Sequence, residues 1–159
     1  MLSATSNTSS RWRAAAPFMV VAVLAVVGGG LTSAALAHQP TLHAMWLVAY
    51  LVLVVGVSQW LLGAGQSWLA KLPPSPALVA GECVLFNVAN VLVMAGTLAA
   101  HPAWVNVGAL ILVLALVLFL FGVRCAPRGG WVYGYRTVVV LLAGSAGVGV
   151  LLTMLRTHA

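Results

Sequence analysis

Acidic side chains are nearly missing from this sequence: Glu82 is the single Asp or Glu among 159 residues, beside seven Lys or Arg. Charged residues of both signs make up only 5% of the chain, where a soluble domain carries about 25%. That scarcity argues against a soluble globular fold. Cysteine is scarce too, at two residues, Cys83 and Cys125, with no CxxC and no CxxCH, so neither a disulfide scaffold nor covalent haem attachment fits. P-loop, GxSxG, HExxH and GxGxxG patterns are all absent, and with them the common phosphate cradles and self-contained hydrolytic sites. The pI near 10.4 would suggest nucleic acid in a soluble protein, but the cations are scattered, with no basic patch interleaved with aromatics.

What is present is apolar surface, 63% of the residues. At roughly 20 apolar residues per span, the chain holds five transmembrane helices with short connections and no separate catalytic domain. Residues 1–13 are polar and Ser/Thr-rich and are expected to form a disordered tail. A single transmembrane helical-bundle domain over 14–159 follows, with spans at about 14–37, 43–63, 76–100, 104–123 and 135–155. Pro17 falls in the first turn of the first span, Pro40 breaks the chain before the second, and Pro73 and Pro74 end the linker before the third. Without water to satisfy exposed peptide groups, each span must be helical, and the alternating ten-residue segments of a barrel are missing.

Orientation follows from the cations. With the amino terminus cytoplasmic and the carboxyl terminus outside, Arg11, Arg13, Lys71, Arg124, Arg128 and Arg136 lie inside and only Arg156 outside. The basic pI then reflects topogenesis in a bacterial cytoplasmic (inner) membrane. Ala35-Leu36-Ala37 before His38 also has the form of a signal-peptidase site, and cleavage there would leave four helices.

In that orientation His38, His43, His101 and His158 all fall on the outer side, with Met45, Trp46 and Trp104 in the same layer. Imidazole is the commonest metal ligand and thioether favours Cu(I), so His38, His43, Met45 and His101 are candidate metal ligands, and a histidine could serve as an axial ligand to haem. The same residues also suit helix ends at headgroup level, with the tryptophans as belt anchors. On the third helix, at 100° per residue, Glu82, Cys83, Phe86, Asn87, Asn90, Met94, Thr97 and His101 share one sector. Ionisable groups in a membrane face the bundle interior or a water-filled cavity, so the stripe formed by Glu82, Asn87, Asn90 and Thr97 points inward. It would serve as a proton path, a cofactor wall or a polar contact with another subunit, or simply as interhelical hydrogen bonding. Met45, Ala49, Gly56, Gln59, Gly63 and Ser67 mark a face of the second helix that lets another helix approach closely, and Ser145, Gly149 and Thr153 do the same on the fifth.

The stretches LHAMWLVAYLVLVVGVSQWLLG, FNVANVLVMAGTL and WVNVGALILVLALVLFLFGVR place a histidine at the outer start of a helix, a bulky run and a glycine near the inner third. Over about residues 42–124 the chain thereby resembles small bacterial proteins related to subunit I of haem–copper oxidases and to the NnrS family of haem- and copper-containing membrane proteins. The resemblance implies that His43 ligates iron or copper, that His101 is a second ligand, and that the cofactor is haem b or copper. The chain departs from subunit I in having fewer helices and no histidine well inside a span, which removes a complete oxygen-reducing centre.

Three functions are therefore expected in competition: a haem- or copper-binding protein with a redox, sensing or metal-handling role; a cofactor-free structural or assembly subunit of a larger respiratory or transport complex; and a small transporter or proton channel using Glu82, Asn87 and Asn90. The absence of a visible inverted repeat weighs against the transporter. The expected partners are the lipid bilayer and either other membrane subunits or a second copy, and the chain is not expected to be an enzyme on its own.

Overall fold

A computed structural model describes residues 2–127 and 129–157, with side chains over 8–127 and 129–151. Arg128 and His158 lie outside the described residues. Every regular element among those described is helical. Five helices are long and apolar enough to cross a bilayer: Thr8–Ala35, Leu42–Leu69, Pro76–Leu98, Pro102–Gly122 and Gly130–Leu151. The chain divides into two compact units, residues 1–68 and 69–159.

The first unit is a hairpin. Helix α1, Leu2–Ala35, faces a second span built from α2 (Leu42–Ala49), a π-helical segment (Tyr50–Ser58) and α3 (Gln59–Leu69). Thr41 starts α2 by accepting a hydrogen bond from the Ala44 N–H at 3.2 Å. Along α1, Ala15, Phe18, Ala22, Ala25 and Gly29 are buried, a three-and-four spacing that keeps one narrow face on the partner helix. The small side chains bring the two backbones together. A β-carbon at Gly29 would come within 2.6 Å of Val52 Cγ2, and one at Gly56 within 2.6 Å of Val26 Cγ2. At Gly63 a β-carbon would collide with the Phe18 ring. At the far end the Arg11 guanidinium donates to the carbonyl oxygens of Ser67 at 2.7 Å and Trp68 at 3.1 Å, meeting the exposed last carbonyls of α3. Trp12 and Trp68 cross edge to face, 5.6 Å apart.

These contacts move two boundaries from where the sequence places them. The tail expected over 1–13 is helical from Leu2, and Pro17 lies inside α1 rather than in its first turn. The reason is the docking of Arg11 and Trp12, which holds the turns ahead of the proline. The second span runs on to Leu69 instead of stopping near Gly63, because the same contacts and the Phe18 seat hold its last turns against α1.

The second unit holds α4 (Pro76–Leu98), α5 (Pro102–Gly122) and α6 (Gly130–Thr157). Ser75 caps α4 by accepting from the Leu78 N–H at 3.3 Å, and Pro76 and Pro102 occupy first-turn positions where a proline costs no hydrogen bond. Helices α4 and α5 form a tight antiparallel pair. Gly96 sits against Val105 and Trp104, Gly108 against Ala89 and Val93, and the Phe86 and Phe119 rings meet edge to face at 6.2 Å. The turn between them closes with His101 N–H to Gly96 O at 2.8 Å and Ala100 N–H to Thr97 O at 3.3 Å, the two bonds of a Schellman termination. Ala100 takes the left-handed conformation, φ 51°, that this motif usually assigns to glycine. Helix α6 buries Val132, Tyr135 and Val139, and none of its described residues beyond Val139 is buried.

Two substitutions test this packing by thermal melting in detergent. Gly108→Ala should lose about 1–3 kcal/mol, because a β-carbon there would meet backbone atoms at 2.8 and 2.9 Å, whereas Gly144→Ala, with nothing within 4 Å, should lose nothing and gain up to about 1 kcal/mol. Equal melting temperatures would contradict the close α4–α5 approach. Ala100→Gly should raise stability by about 1 kcal/mol by relieving a β-carbon in a left-handed position; a lowered melting temperature would count against that turn.

Candidate functional site

The expected stripe on α4 divides into buried and half-buried members. Glu82 and Asn90 are fully buried, each at 0% exposure, with Phe86 and Ala89 on the same face. Asn87 and Thr97 are half-buried at its edge. Most of these polar groups are served by their own helix. Asn87 Nδ2 donates to Cys83 O at 2.7 Å, Asn90 Nδ2 to Phe86 O at 2.7 Å, and Thr97 Oγ1 to Val93 O at 2.8 Å. Such back-bonding to the preceding turn engages one donor of each group and leaves the amide oxygens, the second amide N–H and the hydroxyl lone pairs for other partners.

Glu82 stands apart. An ionised carboxylate has only acceptors, and the N–H groups of a helix interior are already committed to the helix, so its own backbone cannot serve it as it serves the asparagines. One carboxyl oxygen, Oε2, accepts no hydrogen bond among the described residues, although the residue is otherwise engaged. Tyr135, on the buried face of α6, lies within electrostatic range of Glu82. Sequence reading did not single out Tyr135. Its three-residue offset from Val132 and four-residue offset from Val139 place it on the inner face of α6, which was the available signal.

A second set of buried polar residues lies in the first unit: Ser58, Gln59, Gln66 and Ser67, at 6%, 0%, 1% and 1% exposure. Ser67 Oγ donates to Gly63 O at 2.8 Å. Gln66 was missed because the helix was expected to end before it; it lies seven residues beyond Gln59, two helical turns along the same face.

The proposed ligand residues are all at the surface. His38 is exposed in the turn after α1, His43 is exposed in the first turn of α2, and Met45 is 60% exposed. His101 is the exposed residue preceding α5, its ring stacked on Trp104 with centroids 5.0 Å apart. His43 belongs to the first unit and His101 to the second. Met45 lines an open groove of about 330 Å³ between α1 and α2, with Ser33, Ala37, Pro40, Ala44 and Val48 among its walls; no histidine lines it. Among the described residues, no group of three or more His, Cys, Asp or Glu lies close enough to hold a metal ion.

Five long apolar helices, glycine-mediated packing and a fully buried acid define an all-helical protein of the multi-pass membrane class. Compared with known families, with curated proteins and with solved structures, the chain matches none.

Proposed function

We propose that this chain is a small multi-pass protein of a bacterial cytoplasmic membrane that binds and passes a proton at Glu82. The observation that carries the proposal is the complete burial of the chain's one acidic residue inside a candidate span. A buried intramembrane carboxyl is costly and marks ion or proton pathways by default. Its two protonation states also differ in hydrogen-bonding role: the acid donates, the carboxylate only accepts. Proton binding at Glu82 therefore changes which neighbours can bond it. The cation count supports an amino terminus inside and a carboxyl terminus outside. On this proposal α1 stays in the mature protein, because removal at Ala37 would strip Phe18 and Val26 from Gly63 and Gly56.

The test is proton uptake into liposomes carrying the full chain, driven by a potassium diffusion potential. Wild type should acidify the lumen, and Glu82→Gln should fall to the rate of protein-free vesicles while melting at an unchanged temperature. Flux that survives Glu82→Gln, or a wild type no faster than empty vesicles, removes the proposal.

A second reading keeps a metal at the outer end. It is favoured by the groove at Met45, whose walls include Ala37 and Pro40 on either side of His38. At about 330 Å³, near the lower limit of roughly 300–1,000 Å³ for ligand pockets, it is small for a haem. Of the candidate ligands only Met45 lines the groove; His38, exposed in the turn between Ala37 and Pro40, would have to swing into it to act as the second ligand, and His43, two residues from Met45, does not share its face. Cu(I) titration against a competing chelator should show affinity lost at least tenfold in Met45→Leu and in His38→Ala. Equal affinity in all three proteins would sink copper binding at this groove, and a Soret band abolished by His43→Ala would instead mark haem.

A further inference from the structure

The middle of the second span carries a nine-residue π-helix, Tyr50–Ser58, continuous at both ends with α-helix: Ala49 has φ −60°, ψ −41° and Gln59 φ −64°, ψ −39°. Most π-helices are single-turn bulges, frequently at functional sites. The wide register is visible in a side chain. Ser58 Oγ donates to Leu53 O, five residues back, at 2.8 Å, whereas Thr32, Ser67, Thr97 and Thr137 each reach the carbonyl four residues back. A π segment holds surplus chain relative to an α segment spanning the same turns. Releasing one residue of that surplus turns one flanking helix about the axis by roughly 100° and shifts it by about 1.5 Å. Both registers bond their peptide groups internally, so lipid does not discriminate between them. Side-chain packing makes the choice.

That packing is lopsided. Downstream, α3 is held by Phe18 at Gly63 and by Arg11 on the carbonyls of Ser67 and Trp68. Upstream, α2 has no buried residue at all. A change of register therefore turns α2 and leaves α3 in place. Helix α2 supplies Ala44, Met45, Val48 and Ala49 to one wall of the groove, and the end of α1 and its turn supply the other. We infer that the π segment is a register switch that opens and closes the groove at Met45 by turning α2 against α1. The contacts at the segment are set by glycine: Gly29 faces Val52 Cγ2 and the Val48 carbonyl, and Gly56 faces Val26 Cγ2 and the Ala22 carbonyl, so the register that is populated depends on these two positions staying free of a β-carbon. The switch is independent of proton binding at Glu82 and of any metal at Met45.

Trp46 is a native reporter, on α2 and 5.0 Å from the Tyr50 ring at the start of the π segment. The full chain would be labelled with 5-fluorotryptophan in nanodiscs, and the Trp46 resonance assigned by its loss in Trp46→Phe. Wild type should give two exchanging Trp46 resonances. Deleting Val54 removes the surplus residue, restores α-helix with both flanks in their present orientation, and should leave one resonance, at the position of the π state. Gly56→Ala puts a β-carbon 2.6 Å from Val26 Cγ2 and 3.3 Å from Leu51 O, and should at least double the intensity ratio in favour of the other state. A single wild-type resonance, two resonances persisting in the deletion, or a ratio unmoved by Gly56→Ala would each overturn the switch; the wild-type and Gly56→Ala spectra decide if the deletion does not fold.

Discussion

Lipid offers no hydrogen bond to a peptide group, and that constraint governs the rest of this structure. It forces each span to close its own backbone bonds as helix. It also removes water as the force that presses helices together, leaving close packing to do so. The response is the same in both units. Where helices meet, glycine stands at the contact: Gly29, Gly56 and Gly63 between α1 and the second span, Gly96 and Gly108 between α4 and α5. Large side chains then fill the remaining space, Phe18 in one unit and the Phe86–Phe119 pair in the other. The glycines of α6 at 144, 147 and 149 face open space, so a small-residue pattern by itself does not locate a contact.

The same scarcity of partners sorts the polar side chains. Asn87, Asn90, Thr97 and Ser67 each turn one donor back to a carbonyl of their own helix. A carboxylate cannot do this, having no donor to give. Glu82, unlike the asparagines, has no donor to turn back when ionised, and Tyr135 on α6 lies within its electrostatic range.

Much of this was legible in the residues. The five apolar stretches, the start of α4 at Pro76 and the inward face of α4 at Glu82 and Asn90 follow from composition and from a period of 3.6 residues. The role of Gly56 and Gly63 in admitting another helix was readable from their shared face. Less legible were Gln66 and the first turns of α1, because helix ends depend on what docks on them: Arg11 reaches Ser67 and Trp68 across 56 and 57 residues of chain. Tyr135 was hidden for a similar reason, since the neighbour that gives it meaning lies on a different helix.

The residues by themselves determined that the chain is helical, that it has five segments fit to cross a bilayer, and that its one acid sits within the third, because these depend only on side-chain polarity and local period. Tertiary structure alone decided that Gly29, Gly96 and Gly108 seat a helix while the glycines of α6 do not, where α1 begins and α3 ends, and that Tyr50–Ser58 adopts a π register. Each of those outcomes is fixed by contacts between residues far apart in sequence, such as Phe18 with Gly63 and Val26 with Gly56, and no local pattern carries that information.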